Sequence, residues 1–482
     1  MLLVIFGNTT IFSQPQAIIN KLLKDPALKH ASWSVVAINV ENDHVVASYQ
    51  PDLFLSPASS MKAITTATAL GLLGENYRFK TVLEYDGNID ANGVLKGNIY
   101  IKGYGDPTLG CYNFTKNPTL HQLMNIFVKA IKDAGIKKID GYIVGDASYF
   151  EENDAIASGL SWLDLGNWYG AGSWGLNIHE NSFSVILKSS SKSGVRPKML
   201  SVSPDIPNLL ISNQTITQEK LTEEEAYIEG FPYNNLRFVR GRIPTGDTLK
   251  YEVRGSMPDP PFFAAHTLRM YLAKAKIKST KKAVTFWELR REAKYRPQGR
   301  KTLYTNFSPD LKTIVSRTNL YSVNLYADCM LKVLGKELLH RGTFRAGYEI
   351  VRAYWKKKGV DLEGFVMDDG SGLSRNNFLS TTHLARIMQA LAKDPKLYAQ
   401  FVKTLPLSGV SGTMTNVLGR TSAAGRIRAK TGTMRRIVSY TGFITNRRGE
   451  LIAFAIMVNN FQVYPHIIKS KMERLMKEIV NS

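Results

Sequence analysis

The sequence predicts an α+β protein in which an antiparallel sheet flanked by helices is assembled from both ends of the chain and carries a large β-rich insertion. Three observations predict it. Runs of β-branched and apolar residues stand near the start, at 34–40 and 45–49, and near the end, at 437–445 and 451–459. Helical periodicity fills most of 322–393, and strand signals dominate from about 77 to 256. The length of 482 residues leaves room for more than one domain, and 44% hydrophobic residues can fill a large core, which excludes a disordered chain or a small disulfide scaffold. A net charge of +22 favours polyanionic surroundings and decides nothing about fold.

Each element has its own justification. The first two runs flank the turn Glu41-Asn42-Asp43-His44 and read as a hairpin. A helix starts near Pro57 to Ser59, runs through AITTATALGLLG, and closes at Gly71 and Gly74. Short strands follow over 77–110, with turns at 86–88 and 92–93 and a loop at 103–107. Next comes an amphipathic helix over 121–134, with Leu123, Ile126, Phe127, Ala130 and Ile131 on one face. Strand texture continues from 139 to 253, interrupted by the polar stretch KSSSK at 188–192 and the acidic patch at 223–225. Helices are expected at 262–275, 322–339, 345–358 and 381–393. The last helix, 467–480, carries Ile468, Met472, Leu475, Met476 and Ile479 as a stripe suited to core packing.

This reading divides the chain into a discontinuous unit, 15–76 with 257–482, and an insertion, 77–256, in two lobes. Residues 1–14 read as the remnant of an export signal, from the apolar Leu2 to Phe6 and the cleavage-like Phe12-Ser13-Gln14. No apolar run reaches the ~18 residues of a membrane span. Cys111 and Cys329 stand far apart, and the eight histidines show no H-E-x-x-H spacing, so neither a metal nor an organic cofactor is expected. The chain shows no nucleic-acid recognition motif.

Three short motifs carry chemistry. Ser59-Ser60-Met61-Lys62 places a hydroxyl and an amine one helical turn apart, so the amine can act as the hydroxyl's base. Ser189 with Lys192 and Ser279 with Lys282 share the spacing but lie in polar, surface-like sequence. Only Ser59 opens a small-residue apolar helix, one that buries Lys62 at a cost demanding a reason. Ser322-Val323-Asn324 projects a second hydroxyl and an amide near a helix start, and Ser374-Arg375-Asn376 competes with it. Lys430-Thr431-Gly432-Thr433 opens the strand-rich ending, with Lys430 and Gly432 on one face and Thr431 and Thr433 on the other.

The ordered set S-x-x-K, S-x-N and K-T-G resembles that of penicillin-binding proteins and β-lactamases. More of the chain is similar to the class-C low-molecular-mass penicillin-binding proteins, the D-alanyl-D-alanine carboxypeptidases/endopeptidases of dacB type. The residues that carry the resemblance are PASSMK (57–62), GDPTL (105–109), GDA (145–147) and YGA (169–171). Further matches are Leu176-Asn177, Glu180-Asn181, Asp259-Pro260, NLYA (324–327), DGSGLSR (369–375) and KTGT (430–433). The family pattern assigns Ser374 to the separate DGSGLSR signature and leaves Ser322-Val323-Asn324 as the S-x-N element. Tyr104 and Val323 depart from common family choices without touching a reactive group.

The resemblance implies a serine transpeptidase/β-lactamase-like catalytic domain and a D-Ala-D-Ala carboxypeptidase or endopeptidase acting on peptidoglycan stem peptides outside the cytoplasm, in the periplasm or envelope exterior. It implies that β-lactams are covalent inhibitors and that no cofactor takes part. Ser59 is then the nucleophile and Lys62 its base, although an ordinary lysine titrates near ~10.4 and this one must lie far lower. The expected causes are burial and the charge of Lys430. Ser322 relays a proton to the leaving amine, Asn324 binds the amide side of the substrate, and Lys430, Thr431 and Thr433 hold its carboxylate. Backbone N–H groups of Ser59 and Thr433, beside Gly432, form the oxyanion site.

Overall fold

The computed structural model describes residues 14–291, 295 and 299–482. All but the last residue of the expected signal remnant lie outside the described residues; Gln14 opens the helix Gln14–Leu22.

A five-stranded sheet organises the two ends of the chain. Its order is Val45–Tyr49, Ser32–Asn39, Leu451–Asn459, Ile437–Thr445 and Ile427–Met434. Every neighbouring pair is antiparallel, with Val36 opposite Ala455 and Lys430 opposite Thr441. Strand side chains alternate between faces, and here both faces are covered. Val35 and Ala37 pack into a core with Ile456 of the neighbouring strand and with Ile19, Leu475 and Ile479 from the helices Gln14–Leu22 and Pro465–Asn481. Val36 and Ile38 pack into the opposite core with Met61, Ile64, Leu384 and Ala455. That double burial explains why these strands read as unbroken apolar runs.

The helix Met61–Leu73 is buried continuously from Met61 to Leu70, its apolar residues interleaved with threonines such as Thr66 and Thr68 whose hydroxyls donate to the preceding turn's carbonyls. A single 3₁₀ turn, Ala58–Ser60, leads into it. The long helix Asn324–Leu339 lies against it, preceded by Leu311–Tyr321. Ser322 stands between these two helices in the left-handed region, with φ of 59°. The expected helix 322–339 thus begins at Asn324, with Ser322 in the loop before it. Leu311–Tyr321 is an unexpected helix, although its buried Leu311, Ile314, Val315 and Thr318 follow helical spacing behind the N-cap Asp310.

The inserted region is built from several small sheets. Lys80–Tyr85, Ile99–Gly103 and Ile143–Asp146 form a sheet that is completed at its edges by Lys301–Phe307 and Ala283–Thr285. The helices Leu120–Asp133 and Pro260–Lys274 share its core through Leu123, Phe127, Phe263, Leu268 and Leu272. Residues 182–256 add two three-stranded sheets and a two-stranded one. Pro260–Lys274, Ala283–Thr285 and Lys301–Phe307, expected with the catalytic sheet, therefore hydrogen-bond or pack into the inserted region. Helical texture marked Pro260–Lys274 but could not say which core its apolar side would join.

Among the described residues no helix is long and apolar enough to cross a membrane.

Candidate active site

The Ala58–Ser60 turn lies against the edge strand Ile427–Met434, and a glycine permits the approach. A Cβ on Gly432 would stand 2.2 Å from Ser439 Oγ, 2.8 Å from Pro57 O and 2.9 Å from Ser59 N. The contact is fastened below by buried hydroxyls: Ser439 Oγ donates to Pro57 O at 2.6 Å and lies 2.7 Å from Ser60 Oγ. Ala58 itself has φ of 46°, a backbone strain placed next to the candidate nucleophile. Ser59 is half-buried, while Lys62, one turn on, is fully buried.

Lys62 Nζ donates to Ser59 Oγ at 2.9 Å, to Asn324 Oδ1 at 2.5 Å and to Ser371 O at 2.7 Å. Three acceptors match the three N–H bonds of an ammonium. A neutral amine has two N–H bonds and one lone pair. With Asn324 and Ser371 taking the two hydrogens, that lone pair faces the Ser59 hydroxyl. Burial holds Lys62 below the ordinary lysine range, at about 8, against the opposing pull of Asp328 and Asp369. The expected charge effect of Lys430 is not among the causes at Lys62. Lys430 is itself pushed well down, by burial first and by Lys62 second.

Two carboxyls that sequence reasoning gave no role stand behind Lys62. Asp328 follows Asn324 by one helical turn, so the i, i+4 spacing could have found it. Burial and the neighbouring Asp369 push its carboxyl well above the usual range. Asp369 accepts from Gly372 N and Ser374 N, both at 2.6 Å, and from Asn377 Nδ2 at 2.8 Å. It thereby folds the 369–374 turn that presents the Ser371 carbonyl to Lys62.

The remaining expected residues fall around this centre in different ways. Asn324 does not stand open to solvent. Its Oδ1 holds Lys62, and its Nδ2 donates to Tyr169 O at 2.8 Å. Lys430 is fully buried and donates to Thr431 O at 2.7 Å. Thr431 Oγ1 lies 2.8 Å from Thr413 Oγ1, and Thr433 is exposed beside the turn. Ser322 stands two residues before Asn324 and is half-buried. The competing serines are engaged by other partners: Ser374 Oγ donates to Ser158 O at 2.6 Å, and Ser189 Oγ to Pro244 O at 2.5 Å. Ser279 Oγ, in turn, donates to Lys281 O at 3.0 Å, and Lys192 is exposed.

The helix Asn324–Leu339 also fastens the inserted region to the site. Tyr326 donates to Glu180 Oε1 at 2.5 Å, and Asn177 Nδ2 lies 3.4 Å from Cys329 Sγ. Fully buried Lys332 donates to Asp154 O at 2.6 Å and Ser173 O at 3.0 Å, with its ammonium 4.7 Å from the Phe150 ring centroid. The loop between those two carbonyls reaches over the centre through Ser158 and Tyr169. Several fragments read from the sequence as family resemblances thus meet one helix.

The chain has relatives among known proteins. Residues 15–479 match the model of the D-Ala-D-Ala carboxypeptidase 3 (S13) family. The chain is 27% identical over 437 residues to the D-alanyl-D-alanine carboxypeptidase DacB of Haemophilus influenzae, covering 88% of this chain and 85% of that one. The crystal structure of penicillin binding protein 4 (dacB) from the same organism superposes with a TM-score of 0.82 at 24% identity, over 96% of this chain and 99% of that one. Its complex with a β-lactam gives a TM-score of 0.76 at 23% identity, with 96% and 98% coverage.

Proposed function

The chain belongs to the D-Ala-D-Ala carboxypeptidase 3 (S13) family, and on that premise we propose that Ser59 is the residue it acylates. The observation that carries this reading is the 2.9 Å contact between Ser59 Oγ and a lysine amine sealed from water. Ser59 Oγ attacks the carbonyl between two D-alanines while its proton passes to neutral Lys62. The C–N bond breaks, and the proton goes on to the leaving amine, by way of Ser322 as the family resemblance implies. Water then hydrolyses the ester, with Lys62 again taking a proton.

The other residues divide the work of positioning and binding. Asn324 holds Lys62 in line, a task its two occupied amide ends support better than direct substrate contact. Buried Lys430, with Thr431 and Thr433, binds the terminal carboxylate, whose negative charge would offset the cost of burying that cation. The N–H groups of Ser59 and Thr433, on either side of the Gly432 approach, receive the oxyanion; each such donor contributes ~3–4 kcal/mol at comparable sites. The catalytic unit is residues 15–76 with 308–482.

Peptidoglycan stem peptides are the substrates, and β-lactams acylate the same serine as covalent inhibitors. The site of action is the periplasm or the exterior of the cell envelope. Incubation with labelled penicillin followed by peptide mass analysis tests the assignment. The adduct is expected on the peptide bearing Ser59, and an adduct elsewhere overturns it.

A further inference from the structure

A second concave site lies in the inserted region, away from Ser59 and Lys62. It is a cleft of about 650 Å³, well within the ~300–1,000 Å³ range of small-molecule sites. Its walls come from the Ile143–Asp146 strand, the start of Pro260–Lys274, the helix Phe286–Arg291 and the loop around 233–235. None of the residues lining it is lysine or arginine, in a chain that has 62 of them. Carboxylates and amides line it instead, Glu152, Asp259, Glu288 and Asn235 among them. No ion pair among the described residues engages any of those three carboxylates. Asp259 Oδ1 already accepts from Phe262 N at 2.9 Å and Glu288 Oε2 from Thr285 N at 2.8 Å, so the lining disfavours anions and offers its other oxygens to hydroxyl and amide N–H groups.

The cleft also presents exposed aromatic rings, held firmly. Tyr233 is 63% exposed and Trp287 is 48% exposed. Tyr233 sits at φ of 60°, its hydroxyl accepting from Trp174 Nε1 at 3.2 Å. Beneath it, fully buried Arg237 donates to Asn234 O at 2.5 Å and Ser256 O at 3.2 Å, fixing the loop. The Arg291 guanidinium lies 4.5 Å over the Trp287 ring. The aromatic surface continues from Tyr233 to Phe231, which stacks on Trp162 at 6.2 Å and 15°. Trp162 belongs to the loop that reaches Asn324 through the Tyr169 carbonyl. Rigid rings beside acceptors suit the flat, hydroxylated faces of pyranoses, whose C–H bonds stack on aromatic faces.

We infer that this cleft binds neutral N-acetylated amino sugars, the glycan strand from which stem peptides hang, with Tyr233 and Trp287 as stacking platforms and Glu288, Asp259 and Asn235 as hydrogen-bond partners. This rests on the peptidoglycan reading above for the identity of the polymer, though not for the binding itself. The aromatic path toward Trp162 gives the strand a direction, with the cleft gripping sugar while its peptide reaches Ser59.

The test titrates the full-length protein with the N-acetylglucosamine trimer, followed by tryptophan fluorescence and calorimetry. Saturable binding is expected, at least tenfold weaker in Trp287→Ala and in Asn235→Leu. Both variants should react with penicillin at the wild-type rate, which also certifies their folding. Binding should persist in wild-type protein already acylated by penicillin. Absence of binding at millimolar trimer, binding unchanged in both variants, or binding abolished by acylation would each overturn the inference. So would tighter binding of a lysine amide lost in the same variants, since the cleft would then be a cation site. If penicillin fails to label Ser59 while the trimer still binds, the catalytic reading fails and the sugar site stands.

Discussion

The catalytic centre and the inserted cleft treat polar groups in opposite ways. At Lys62 every N–H has a protein acceptor and the amine is wholly buried. In the cleft, carboxylates and amides line an open wall and two large aromatic side chains remain exposed. A satisfied, dry cluster fixes where a proton can go; an open polar wall leaves hydrogen bonds to be made with a ligand. On the readings proposed above, the contrast separates bond-breaking in one region from polymer recognition in the other.

The largest effect that bears on this contrast is at the nucleophile. Ser59→Ala is expected to abolish penicillin labelling, whereas Ser189→Ala and Ser279→Ala leave it intact; persistent labelling of the first variant would break the assignment. Lys62→Ala should slow acylation by ~10²–10⁴-fold, the usual worth of a positioned base. Because Lys62 must be neutral to act and titrates at about 8, the wild-type acylation rate should climb with pH through that value. Asp328 pulls Lys62 upward, so Asp328→Asn should shift the midpoint toward acid. A shift toward alkali would remove Asp328 from the account.

Smaller effects sharpen the division of labour. Lys430→Ala should cost roughly tenfold to a hundredfold on a D-Ala-D-Ala peptide, from loss of a charged hydrogen bond of about 1.5–3 kcal/mol. An ester lacking the carboxylate should suffer much less, and equal losses would exclude Lys430 as the carboxylate anchor. Lys332→Met leaves the Asp154 and Ser173 carbonyls without their donor. It should lower stability by about 1–3 kcal/mol for each orphaned group in urea unfolding. Penicillin acylation should change by less than about tenfold if the clamp, which bonds neither Ser59 nor Lys62, acts independently of the reacting groups. A larger kinetic loss with unchanged stability would place the inserted loop within the chemistry.

How much of this was legible in the sequence depended on distance along the chain. Ser59 and Lys62 share one helical turn, so local geometry sufficed to pair them. The sheet strands showed themselves through continuous apolar runs at both chain ends. Asn324 could be singled out by type, but its two partners, 262 and 155 residues away, could not be read from spacing. Ser371 acts through a backbone carbonyl, which carries no side-chain signature at all. The left-handed Ser322 needed knowledge of the helix before it, and Pro260–Lys274 needed knowledge of which core would receive it. Family resemblance marked DGSGLSR without saying what it does; the hydrogen bonds of Asp369 supply that meaning.

The pairing of Ser32–Asn39 with Leu451–Asn459 has a consequence for the order of events during synthesis. The first long strand, with Val36, is made far ahead of its central partner, which carries Ala455. Until then the hairpin has an unpaired edge, and Ser59 has no Gly432 strand to rest against. Contacts this distant are slow to form, and the inserted region, whose pairings lie within about 230 residues, closes earlier on simple polymer grounds. A chain stopped before residue 427 therefore lacks the Gly432 edge strand, the proposed carboxylate anchor Lys430 and the middle of its main sheet together. On the proposed reading, hydrolytic competence waits for these strands, so chains terminated before them are inert toward the wall.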